Sequence, residues 1–141
     1  MKSQNIIYFK IAQVKDEQIQ KSILFETADI LEDGDDQLIA VEDFGDFEVI
    51  YSFLPFYKAE RFLALLEKFN ILIDYKDVTE DVLMAREKGR EFIGTFQDDT
   101  YKRVLERFSE DNLTVDMVLD KINEQGIDSL TDLDREVLKK I

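Results

Sequence analysis

The sequence predicts an α+β protein, and three observations carry that expectation. Runs of β-branched and aromatic residues alternate with apolar stripes at helical spacing from the N-terminus to about residue 78. From Thr79 onward only helical spacing recurs. The 141 residues are 45% apolar, with 11 Phe and 5 Tyr, so one domain, or one core with a small appendage, can bury a sizeable interior.

Ile6-Ile7-Tyr8-Phe9-Lys10-Ile11-Ala12 is β-branched and aromatic and reads as the first strand. From Asp16 to Leu31, Ile19, Ile23, Ile30 and Leu31 fall near helical spacing, interrupted by Thr27, and Glu32-Asp33-Gly34-Asp35-Asp36 ends that helix. Leu38-Ile39-Ala40-Val41 and the segment from Phe47 to Phe53 read as two strands, with Gly45 between them for a tight hairpin. Pro55 closes the second strand and precedes a helix whose Phe62, Leu65, Leu66 and Phe69 share one face, with Asn70 as terminator. Ile71-Leu72-Ile73-Asp74-Tyr75 follows as a strand. The order β-α-β-β-α-β is the split βαβ pattern of a ferredoxin-like sheet domain, expected over residues 1–78.

A helical extension is expected over 79–141, packed on the sheet domain or on a partner. Thr79 opens a helix reaching about Lys88, interrupted at Gly89, and Asp98 or Asp99 caps the next, whose Tyr101, Val104, Leu105 and Phe108 share a face. Thr114 opens a third helix stopped at Gly126. Thr131 with Asp134 three residues on forms a capping box for the last.

The formal charge of −14 is spread over the chain, with residues 1–78 at −8 and 79–141 at −6. Both parts repel a phosphate backbone, because nucleic-acid affinity comes largely from cations that displace counterions. Direct DNA or RNA binding is therefore disfavoured, and so is docking on an anionic membrane. The chain has no Cys and no His, which removes disulfides, Cys/His zinc sites, thiol nucleophiles and the imidazole of a Ser–His–Asp system. The N-terminus lacks a signal-like core, and no apolar run nears the roughly 20 residues that span a bilayer. A soluble, cytoplasmic protein is expected.

The densest feature is acidic. Between Lys21 and Lys58 there is no basic residue, but there are ten carboxylates. Eight of them, Glu32, Asp33, Asp35, Asp36, Glu42, Asp43, Asp46 and Glu48, are the candidate partner-binding residues, an electronegative surface for a basic protein segment. Against that stands a purely structural role: on an edge strand, Glu42 and Asp43 discourage edge-to-edge pairing. A five-residue strand spans roughly 17 Å, so the acids at 32–36 and 42–46 should form two patches.

Asp29 to Asp35 places Gly34 at the sixth position of a calcium loop, but Leu31 and Ala40 occupy the third and twelfth ligand positions. A helix-ending turn explains it better, and no metal site is assigned. The aromatics around Phe44-Gly45-Asp46-Phe47 loosely suggest an RNA-stacking sheet, but they lack the leading cation. Phe47, Val49, Tyr51 and Phe53 alternate as a buried strand face does. The five glycines are scattered and read as turns or caps, Lys88-Gly89-Arg90 as a solvated helix end. No spacing suggests a carboxylate pair, phosphate loop or nucleophile elbow, so no catalytic residue or cofactor is assigned.

The segment from Val118 through Leu119-Asp120-Lys121-Ile122-Asn123-Glu124-Gln125-Gly126 to Thr131, with Glu136-Val137-Leu138 after it, resembles the short C-terminal cytoplasmic tail of some bacterial rhomboid-family membrane proteins. The likeness covers residues 115–140 and leaves the membrane helices and catalytic serine of that family without a counterpart. It implies a small two-helix docking element and a bacterial origin, and no activity.

The expectation is a non-enzymatic interaction or regulatory protein whose acidic surface meets a basic protein, in one variant by mimicking nucleic acid. The alternative is a small-ligand sensor acting as a homodimer, by analogy of fold.

Overall fold

Two strands are apolar on both sides, and both lie at the centre of the sheet. β1 (Ile7–Ala12) sends Ile7, Phe9 and Ile11 to one face and Tyr8 to the other, while β3 (Phe47–Ser52) splits Val49 and Tyr51 from Ile50. The computed structural model describes residues 5–86, 89 and 99–140. It is a mixed α+β structure: four antiparallel strands in the order β2-β3-β1-β4, and six α-helices among the described residues. β2 (Ile39–Asp43) and β4 (Leu72–Asp77) are the edges. Each helical connection between strands crosses one intervening strand.

α1 (Glu17–Ile30) and α2 (Phe56–Lys68) cover one face, joining Ile30, Ala59, Phe62, Leu65 and Leu66 to Ile7, Phe9, Ile11 and Ile50. The Phe9 and Phe62 rings meet edge-on with centroids 5.4 Å apart, a favoured aromatic geometry. Asp16 caps α1, its Oδ1 accepting the Gln18 N–H at 2.9 Å. α2 ends where Asn70 takes the left-handed conformation, φ 55°, a role Asn fills at low cost.

The extension packs on the opposite face. Val82 and Leu83 of α3 (Thr79–Leu83) and Phe108 of α4 (Asp99–Asn112) join Ile6, Tyr8, Val49, Tyr51 and Phe53, with Met117 of α5 (Val115–Gln125) against them. The two central strands are therefore buried on both sides, between two helical layers, while much of each edge strand stays exposed. The alternating aromatics of β3 are core, as expected.

Local signals fare unevenly in the extension. Thr114 caps α5, and Thr131 with Asp134 forms the expected capping box of α6 (Asp132–Leu138). Thr79 does not cap α3: Val78 holds that place, and the Thr79 hydroxyl accepts the Ile6 N–H at 2.9 Å, tying the helix start to β1. α3 stops at Leu83, well short of Lys88, because Ala85 turns left-handed at φ 52°. Gly89 is helical and is not a turn or cap; an added Cβ there would lie 2.0 Å from the Asp81 carbonyl oxygen. Close backbone approach requires that glycine. Asp98, Lys88, Arg90 and Gly94 lie outside the described residues. Among the described residues, no helix is long and apolar enough to cross a membrane.

Candidate functional site

The acidic block divides at β2 into two groups with different electrostatics. At the entrance to β2, a 3-10 turn over Asp35–Leu38 positions Asp35 under α2. Its Oδ2 lies 2.5 Å from Lys58 Nζ, and Glu32 Oε2 lies 3.3 Å from the same ammonium. Asp35 also accepts the Glu32 N–H at 2.9 Å. The Lys58 side chain is only 5% exposed, so burial is tolerable there because the charge is paired. Burial pushes the Asp35 carboxyl up, but the bond from Lys58, helped by the Glu32 N–H, more than offsets this and leaves it below its ordinary value. The bond to Asp35 raises the Lys58 ammonium above its own. Asp33 is exposed beside this pair, and the Asp36 side chain lies outside the described residues.

At the far end of β2 the hairpin presents Glu42, Asp43, Asp46 and Glu48. Gly45 makes the turn at φ 90°, a conformation that favours glycine. Asp43 Oδ1 accepts the Gly45 N–H at 2.8 Å and the Gln13 side-chain amide at 2.6 Å. Asp43 and Glu48 sit directly opposite each other across the strands, an unfavourable like-charge pair. Burial first, then the Asp43 carboxylate, push the Glu48 carboxyl above its ordinary value. Phe44 is half-exposed and stacks on Phe47 with centroids 5.1 Å apart, and Lys10 Nζ lies 4.3 Å from the Phe47 ring centre. Among the described residues none of the four hairpin acids forms an ion pair.

The eight candidates thus do not form one site. Asp35 and Glu32 hold a buried lysine, while at the far end of β2 Asp43 and Glu48 oppose each other, with Glu42 and Asp46 near them in the same hairpin. Sequence reasoning missed Lys58 as their partner. The signal was present: Lys58 stands on the apolar stripe with Phe62 and Leu65, where a cation needs a counter-charge.

Two further concavities went unforeseen. A groove of about 580 Å³ between α1 and α2 is lined by Lys21, Ser22, Phe25, Glu26, Lys68 and Phe69. The Lys68–Glu26 ion pair spans it at 2.5 Å. A polar cleft of about 520 Å³ lies where β4, α3 and α5 meet. There Arg86 donates two bonds to Glu124, at 2.8 and 3.1 Å, and lies 3.5 Å from Asp81. The bond to Glu124 raises the Arg86 guanidinium above its ordinary value, and the same bond lowers Glu124. Thr79, beside this cleft, donates its hydroxyl proton to Asp77 at 2.5 Å. These groups are engaged with one another as a structural network.

Among the described residues, no group of three or more Asp or Glu side chains is placed to hold a metal ion. Comparison with protein-family models, curated proteins and solved structures finds no match to this chain.

Proposed function

We propose that this chain is a non-enzymatic interaction module whose acidic hairpin, residues 42–48, receives a basic segment of another protein. The fold in this reading is ferredoxin-like over residues 1–78. The strand order and the two connections that each skip one strand support it. The observation that carries the functional reading is the contrast between the two acidic groups. Asp35 is consumed by Lys58, whereas Asp43 and Glu48 face each other at the hairpin, with Glu42 and Asp46 beside them, and among the described residues no cation pairs with any of the four. A lysine or arginine brought to the hairpin relieves the Asp43–Glu48 repulsion and can lie over the exposed Phe44 ring. Occupation of a DNA-binding protein by nucleic-acid mimicry is one form of this role.

The test is the salt dependence of association with a lysine- and arginine-rich peptide. Glu42→Gln, Asp43→Asn and Asp46→Asn together should abolish the salt-sensitive part of binding. Three neutralisations on the helices, Glu110→Gln, Asp116→Asn and Asp120→Asn, should not. Equal losses in both variants would reduce the effect to bulk charge and end the proposal.

The sensor reading draws on the α1–α2 groove, where Lys21 and Lys68 flank Phe25 and Phe69. It expects a rise in melting temperature with an anionic aromatic metabolite.

A further inference from the structure

The two edges of the sheet carry different charge patterns. β2 bears Glu42 and Asp43 and no cation, so a second β2 alongside would meet only like charge. β4 bears Asp74, Lys76 and Asp77, with both signs on one short strand. Ile73 and Tyr75 of β4 are 54% and 53% exposed. Among the described residues, β1 is the only strand that pairs with β4.

We propose that β4 pairs antiparallel with β4 of a second copy, about a two-fold axis at Tyr75. The backbone phase allows it. Val78 N–H donates to the Ile6 carbonyl at 2.9 Å, and the register runs Ile7–Asp77, Tyr8–Lys76, Phe9–Tyr75. Because bonded and non-bonded pairs alternate along an antiparallel ladder, the backbone groups of Tyr75 and Asp77 point away from β1. Tyr75 N–H is accordingly taken up by the neighbouring Asp74 carboxylate, at 2.9 Å.

Charge selects the register. A two-fold axis at Asp74 sets carboxylate against carboxylate, and one at Lys76 sets ammonium against ammonium. An axis at Tyr75 places Asp74 opposite Lys76 of the second copy, twice, at the close spacing of a non-bonded pair. It also brings the two Tyr75 side chains together on the face that Phe9 shares. On pairing, Tyr75 N–H moves from Asp74 to the carbonyl of the other Tyr75, and the released carboxylate meets the ammonium. Lys76 now lies 3.2 Å from Asp81 and is 53% exposed, so its head can turn outward.

The register shift opposite Lys10 and Ile11 interrupts the ladder near Ile73, the residue that Asp77 would oppose across this axis, so pairing is confined to Asp74–Lys76. So short a ladder falls below the roughly 1,200 Å² of a standard interface. The dimer is therefore weak and reversible, and a net charge of −14 on each chain weakens it further at low salt. It lies at the sheet edge opposite the acidic hairpin and stands or falls independently of the proposed function.

Sedimentation equilibrium of the full chain, from about 10 µM to about 1 mM at about 0.3 M salt, is the test. The wild type should move from one chain mass toward two. Asp74→Lys or Lys76→Glu should each weaken association about tenfold or more, and the double variant should restore it. Tyr75→Pro removes the N–H to be exchanged and should leave only monomer, with its thermal melt confirming a folded chain. A wild type that stays monomeric across this range overturns the proposal. So does a dimer that survives Tyr75→Pro, or a double charge swap that fails to rescue.

Discussion

Lys121 Nζ lies 2.6 Å from Asp134 Oδ2, and both side chains are 2% exposed. The same oxygen accepts the Thr131 N–H at 2.8 Å, so one carboxylate caps α6 and neutralises a lysine of α5. Removing one partner leaves an uncompensated charge between the helices. Lys121→Met and Asp134→Ala should each destabilise by about 3–5 kcal/mol, whereas Lys121→Met with Asp134→Leu should recover most of the loss. Denaturant unfolding of the three variants measures this. A single-variant loss below about 1 kcal/mol would mean that the pair behaves as a surface ion pair.

Two neighbouring residues test the junction between α3 and the chain that follows. Ala85 is left-handed without the freedom of glycine, so Ala85→Gly should stabilise by about 1 kcal/mol. Gly89→Ala should do the reverse. Its Cβ would meet the Asp81 carbonyl oxygen at 2.0 Å and Val82 Cα at 2.7 Å, both backbone atoms that no rotamer change can move. A loss of about 1–3 kcal/mol is expected. A neutral Gly89→Ala would show that this approach is not tight.

Most of the sheet was legible in the sequence because its signals are local. Period-two aromatics, Gly45 and Pro55 place β2, β3 and the start of α2 within a residue or two. Periodicity alone leaves open whether the extension packs on the sheet or on a partner, although Ile6-Ile7-Tyr8-Phe9 carries the clue. A strand covered on one face alternates, and this one is apolar on both. Among the described residues, the two buried lysines share another overlooked sign. Lys58 stands on the stripe of Phe62 and Leu65, and Lys121 on that of Val118, with Asp134 on the stripe of Val137. What the sequence could not show is which acid reaches each lysine, because that depends on loop geometry between residues that are 13 and 23 positions apart.

Glu48 gives the hairpin a pH signature. Its carboxyl is raised by burial and by Asp43, so the folded state holds the proton more tightly than the unfolded chain. Ionised Glu48 therefore costs stability above its raised pKa, and that cost fades as pH falls toward the ordinary 4.5. The wild type should be more stable at about pH 5 than at about pH 7. Glu48→Gln should reduce that difference and gain less than about 1 kcal/mol at neutral pH, solvent screening limiting the size. Identical pH profiles for the two proteins would assign the trend to general charge repulsion alone.

Asp35 has the opposite sign. Its carboxyl is held below its ordinary 3.8, so its contribution is fully present above that value and is lost as pH falls through the lower folded value. Lys58 mirrors it: raised above 10.5, it contributes fully below that pH and loses its effect as pH rises through the folded value. The pair should hold between those limits. Asp35→Asn should destabilise at neutral pH, because Lys58 is left buried against Glu32 alone, while Asp33→Asn should stay within about 0.5 kcal/mol of wild type. Thermal melts at pH values between 4 and 10 distinguish them. If Asp33→Asn and Asp35→Asn were equally harmless, the entrance acids would have no structural duty, and Asp35 would rejoin the hairpin acids as a free docking charge.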